Sequence, residues 1–178
     1  MALKPFIGIK KIWYGDVFTA AVTAATLKTW LESATEVKNS HQDTWSYTED
    51  DPTYTDYINE LTGGVYYRDV TAKGTKNIAF TMGEYELEDL VALRGGEKVG
   101  TDEGWGSPDS PTIMNMGIVG QTKTGNYIVF TNAAVIGKGN QAEKNIGLGV
   151  SAVAMDNPNE GVKADYLFDG TKVEAAGA

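Results

Sequence analysis

The 178-residue chain contains no cysteine and a single histidine, His41. The first absence excludes disulfide staples, a thiolate nucleophile and cysteine-liganded zinc or iron–sulfur centres. The second excludes a metal centre built from several histidines of one chain. Proline is scarce, five residues against twenty-one glycines, a balance that favours short strands joined by tight turns. No stretch approaches the ~18 consecutive apolar residues of a membrane span. Met1-Ala2-Leu3-Lys4-Pro5 is not followed by the apolar core of an export leader, so the expected site of action is where the chain is made, or one reached without a cleaved leader.

A basic face is also missing. Formal net charge is −9, and it is unevenly placed. Residues 1–38 carry +2, residues 39–110 carry −10 and residues 111–178 carry −1. Gripping a phosphate backbone requires a continuous basic surface, because counterion release drives that affinity. The acidic middle serves solubility, or forms a surface that must not retain nucleic acid.

What is present reads as strands with two helices. Residues 6–14 predict a first strand, and Leu27, Trp30, Leu31 and Ala34 recur at helical spacing over 26–35. A strand at 43–49 leads into a long extended or looped excursion broken by Pro52, and Gly63-Gly64 turns into a strand at 65–70. Ile78, Phe80 and Met82 alternate with Asn77, Ala79 and Thr81, the pattern of a half-buried strand. Over 84–94 a narrow stripe of Leu87, Leu90 and Val91 follows a run of acids that suits a helix N-terminus, and Gly95-Gly96 supplies the stop. Residues 97–111 read as a loop. Strands at about 112–119, 126–136 and 145–155 follow, joined by turns at 124–126 and 137–140, with a short segment around Tyr166-Leu167-Phe168 before a small-residue tail. The expected architecture is a single mainly β (α+β) domain over 1–178, an antiparallel β-sandwich or barrel with one or two short flanking helices.

Four patterns could carry chemistry. Gly137-Lys138-Gly139-Asn140-Gln141-Ala142 has the letters of a dinucleotide fingerprint, but that chemistry needs a helix opening onto the pyrophosphate, and the following Ile146-Gly147-Leu148-Gly149-Val150 reads as a strand, so a hairpin turn is expected. Ser40, His41 and Asp43 are neighbours in sequence, whereas triads are assembled across a fold. Glu49-Asp50-Asp51 lacks calcium-loop spacing and reads as a solvated loop. Four Trp and nine Tyr could form a sugar-stacking platform, although most lie on or beside expected strands, where packing is the commoner use. No catalytic, cofactor or metal set emerges. The expectation is a protein that binds or assembles rather than an enzyme.

The stretch from Gly74 to Leu90, Gly74-Thr75-Lys76-Asn77-Ile78-Ala79-Phe80-Thr81-Met82-Gly83-Glu84-Tyr85-Glu86-Leu87-Glu88-Asp89-Leu90, with the glycine pair Gly95-Gly96, resembles the phage major tail tube protein family. So do the run Tyr127-Ile128-Val129-Phe130-Thr131-Asn132-Ala133-Ala134-Val135-Ile136-Gly137 and the strand ending Val150-Ser151-Ala152-Val153-Ala154-Met155. The likeness covers about half of the chain as a pattern of residue types. It implies a structural virion protein, made in the cytoplasm of a bacterial host, that assembles into rings, commonly hexameric. Those rings stack with other tail proteins into a hollow tail through which DNA passes without tight binding. It implies no membrane, cofactor or small-molecule substrate.

Two expectations about residues follow. The 39–64 excursion, with Trp45, Tyr47, Tyr54 and Tyr57 as aromatic anchors, is a candidate inter-subunit segment. Acids of 39–110, among them Glu49, Asp50, Asp51, Asp56, Glu84 and Glu86, are candidates to line an acidic bore that repels a moving duplex. Type VI secretion and bacteriocin tubes share the pattern and stay open as alternatives, as does a carbohydrate-binding β-sandwich module.

Overall fold

The computed structural model describes residues 3–176. In chain order its elements are β1 (Lys11–Gly15), α1 (Ala24–Ser33), β2 (Thr35–Glu36), β3 (Ser46–Glu49), β4 (Thr53–Ile58), β5 (Val65–Ala72), β6 (Lys76–Met82), α2 (Leu87–Arg94), β7 (Glu97–Val99), β8 (Gly104–Gly106), β9 (Met114–Gln121), β10 (Tyr127–Ala142), β11 (Asn145–Ala154), β12 (Asp165–Phe168) and α3 (Gly170–Ala175). All strand pairs are antiparallel. The body is an eight-stranded sheet in the order β2-β1-β9-β10-β11-β6-β3, with β12 joined to β10; β4–β5 and β7–β8 are separate hairpins.

The sixteen-residue β10 organises this sheet. Its first part, Tyr127–Phe130, lies between β9 and β12, and from Ala133 onward it pairs with β11. At Thr131-Asn132 a bulge sets two residues against Gly117 of β9. Side chains alternate along a strand, so the extra residue keeps Ile128, Phe130, Ala133 and Val135 on one face, all in one hydrophobic cluster. Without it the second half of the strand would turn that set away from the core.

The sheet curls around this inner cluster. Ile12, Tyr14, Ile118 and Phe130 meet Ile78, Phe80, Leu148 and Val150 from the far wing, and α2 adds Leu90 and Leu93. Tyr47 on β3 comes within 6.2 Å of Phe130 between ring centroids, although two strands separate β3 from β10 in the sheet. The curl stops short of closure, since β2 and β3 each pair on one side only. The architecture is therefore the sandwich-like form and not the barrel. The outer face of Trp13, Val119, Tyr127 and Val129 is covered by Leu27 and Trp30 of α1 and Val173 of α3.

Local chemistry accounts for the helices. Thr23 and Thr26 bond reciprocally across the first turn of α1, through Thr23 N–H to Thr26 Oγ1 at 2.8 Å and Thr26 N–H to Thr23 Oγ1 at 3.2 Å. In α2, Asp89 accepts from Glu86 N–H at 2.8 Å, and Gly95 ends the helix at φ 77°. The buried Tyr14 hydroxyl donates to Asp89 Oδ1 at 2.5 Å and ties α2 to β1. Burial, then the Asp89 carboxylate, pushes the Tyr14 pKa well up.

Four local expectations change. The first strand begins at Lys11 because Gly8 breaks the extended run at φ 61°. Gly137–Asn140 is not a turn: it continues β10, and the reversal comes at Glu143-Lys144, with Glu143 at φ 53°. Glycine stands at 137 for closeness, since a Cβ there would lie 2.5 Å from the Leu93 carbonyl oxygen of α2. The fingerprint letters thus sit inside an antiparallel ladder. Residues 97–111 hold the β7–β8 hairpin, pinned by Trp105 Nε1–H to the Gly95 oxygen at 2.8 Å. The tail contributes a third short helix, α3, because Asp169 caps it by accepting from Thr171 N–H at 3.0 Å.

Candidate functional site

The most exposed apolar chemistry of the chain is on the hairpin β4–β5. Every residue of β5 is exposed, and no residue of either strand belongs to a hydrophobic cluster of the body. Leu61 at the tip is 95% exposed and Tyr66 69%, with Tyr54, Tyr57, Ile58, Val65, Tyr67 and Val70 also open to solvent. Both long edges carry unpaired backbone groups, because each strand has one partner. We refer to this hairpin as the arm.

The arm is internally braced. Arg68 makes two hydrogen bonds to Asp56, 2.6 and 2.9 Å, and lies 4.0 Å over the Tyr54 ring. The Arg68 guanidinium beside Asp56 holds that carboxyl below the usual carboxylate range. Tyr57 packs on Tyr67 across the ladder at 5.7 Å, and the hydroxyls of Thr53 and Thr71 meet at 3.1 Å. At the tip, Asn59 Oδ1 accepts from Leu61 N–H at 2.9 Å, and Gly63 turns at φ 69°.

The arm leaves the body through a tight neck. Asp50 N–H donates to the Thr75 carbonyl at 2.9 Å, and the Thr75 hydroxyl donates to the Asp50 carboxylate. The two strands cross so closely that a Cβ on Gly74 would lie 1.6 Å from the Asp50 oxygen. Just below, Lys76 reaches Asp165 at 2.8 Å and Glu49 at 3.5 Å. Its hydrogen bond to Asp165 is the main cause of a raised lysine pKa. Lys76 is thus held between two carboxylates from different elements, as in a structural clamp.

The expected site residues separate. Of the four aromatic anchors, Tyr54 and Tyr57 are on the arm, whereas Trp45 stacks on Phe80 at 6.5 Å and Tyr47 on Phe130, both committed to the chain's own core. The six acids fall in three places. Glu49, Asp50 and Asp51 are at the neck, Asp56 is paired on the arm, and Glu84 and Glu86 lie beyond the opposite end of β6, about 20 Å away at strand spacing. Glu49 is matched by Lys76 and Glu86 by Lys38, leaving Asp50, Asp51 and Glu84 with no cationic partner among the described residues. His41, Ser40 and Asp43 form no triad: the imidazole meets only the Gln42 carbonyl, at 3.2 Å. Among the described residues no cluster of three His, Asp or Glu could hold a metal ion, and no helix is long and apolar enough to cross a membrane.

Sequence reasoning missed Ile58, Leu61, Val65, Tyr66, Tyr67 and Val70 as surface residues. A signal was available, since Val65-Tyr66-Tyr67 and Val70 place apolar side chains on both parities of a strand, which a half-buried strand does not do. The chain matches no protein-family model and no curated protein.

Proposed function

We propose that this chain is a structural subunit that self-assembles into stacked rings, forming the hollow tail tube through which phage DNA passes. The observation that carries the reading is the arm. An isolated two-stranded hairpin is marginal in water, and this one exposes eight large apolar or aromatic side chains and two free edges. Such a surface calls for a protein partner. Contact between a protruding arm and a different surface on the next copy is heterologous, and heterologous contacts propagate as rings or filaments. The resemblance of 74–96, 127–137 and 150–155 to tail tube proteins supplies the particular assembly, with hexameric rings as its implied form.

The mechanism is passive. A tube moves a duplex by failing to hold it, and a net charge of −9 disfavours retention of phosphate by the chain as a whole. Asp50 and Asp51 are the candidates that no ion pair offsets among the described residues, while Glu84 lies within the field of Lys38. A sugar-binding module would call for coplanar exposed rings, and the exposed Tyr57–Tyr67 pair is tilted by 45°.

Sedimentation and negative-stain microscopy across a concentration series test the proposal. Annular particles or tubes with a central hole support it. A chain that stays monomeric up to its solubility limit overturns it.

A further inference from the structure

We infer that the arm of one copy docks on the N-terminal segment of a second copy, an inference that rests on the self-assembly reading above. The acceptor is a small apolar and basic face made by residues 3–10 and the turn 122–126. This segment forms no strand, yet it is fastened along its length. Asn126 Nδ2 donates to the Lys4 carbonyl at 2.7 Å, Thr124 Oγ1 to the Pro5 carbonyl at 2.5 Å and Lys123 N–H to the Ile7 carbonyl at 3.0 Å, while Lys10 N–H donates to the Gln121 carbonyl at 2.7 Å. Phe6 and Ile9 point into the core cluster. Leu3 and Ile7 point outward, 49% and 56% exposed.

Charge selects this face. Lys4, Lys10 and Lys123 are exposed and make no ion pair with any described residue, and neither 3–10 nor 122–126 contains an acid, giving +3. A carboxylate near Lys4, Asp169, is bound first to Thr171 and lies also within the field of Lys172. The arm with its neck, residues 50–73, carries five acids and two bases, a net −3, with Glu60 beside Leu61 at the tip. Three other exposed apolar residues carry a weaker basic complement or none. Ile136 and Ile146 stand on a ribbon, residues 136–146, that sets Glu143 against Lys138 and Lys144 for only +1, and Val99 lies between Glu97 and Asp102. Apolar contact between Ile58, Leu61, Val65 and Leu3, Ile7 supplies adhesion, and opposite charges set orientation. Donor and acceptor are different surfaces, so the contact repeats from copy to copy.

The absence of cysteine makes the test direct. One preparation carries Leu61→Cys and a second Ile7→Cys; they are mixed and oxidised under conditions where the unmodified chain associates. The expected result is an interchain disulfide dimer from this mixture and none from Leu61→Cys mixed with Ile146→Cys. In parallel, Lys4→Glu, Lys10→Glu and Lys123→Glu together weaken association at least about tenfold, and mixing or combining them with Glu60→Lys and Asp69→Lys restores it. Circular dichroism verifies that each variant is folded. Association that persists without the 61–7 cross-link, or with equal cross-linking to position 146, overturns this inference and leaves self-assembly standing. An unmodified chain that never associates overturns both.

Discussion

Replacing Thr53–Ala72 by a Gly-Ser pair removes the arm while leaving its neck. In the native chain 24 residues connect Asp50 to Thr75; in the variant there are six. Loop-closure cost scales as (3/2)RT ln n, so the fourfold shortening favours the folded body by about 1.2 kcal/mol. The ends need not move, because Asp50 N–H and the Thr75 carbonyl are already 2.9 Å apart. No arm residue contributes to either hydrophobic cluster, so no core burial is lost in exchange. For a domain of this size 1 kcal/mol shifts Tm by about 2–4 °C, which places the expected change at a rise of about 2–5 °C. Sedimentation should at the same time report only monomer. A fall in Tm of more than about 5 °C would show the arm to be part of the body's packing, and assemblies of unchanged size would show that it is not the contact. Either result refutes the reasoning.

Two further substitutions probe the body. Gly137→Ala brings a Cβ to 2.5 Å from the Leu93 oxygen and should lift α2 from β10 at a cost of about 1–3 kcal/mol in chemical denaturation, whereas Gly139→Ala, whose nearest neighbour is the Arg94 Nη1 at 3.9 Å, should be close to neutral. Tyr14→Phe removes the 2.5 Å bond to Asp89 and should cost about 1–2 kcal/mol, since water replaces the donor at a half-exposed acceptor. The pH dependence follows from the raised Tyr14 pKa. A tyrosine whose folded pKa lies above its unfolded value contributes fully below about pH 10 and loses that contribution as pH rises beyond it. Tm should therefore fall as pH rises beyond about 10, less steeply in Tyr14→Phe than in the native chain, with Tyr47 and Tyr127, both raised chiefly by burial, and the ion-paired Lys76 contributing to the remaining slope.

Sequence periodicity was informative where one face of an element is buried. The alternation at 77–82 and the stripe at 87–91 locate β6 and α2 to within a few residues, because burial on one side imposes a repeat. It misled where glycine serves proximity. Gly137 reads as a turn residue, yet it lies in a strand where a Cβ would come within 2.5 Å of the Leu93 carbonyl oxygen, a constraint set by a partner distant in sequence. The same limit hid the division among the aromatics. Trp45 and Tyr47 precede Tyr54 and Tyr57 by only a few residues, and the Asp50–Thr75 neck, a contact across 25 positions, decides which pair is core and which is surface.

The neck also determines how the chain bears load. The arm continues directly into β3 and β6, which run side by side with their neck ends level, Glu49 opposite Lys76. Tension applied along the arm is therefore shared by both strands and passes from β6 to β11 across six paired positions, Asn77 to Met82 against Val153 to Leu148. Force in that direction slides the ladder lengthwise, so its bonds resist together instead of opening one after another. A fibre linked through such arms would stretch stiffly and fail late.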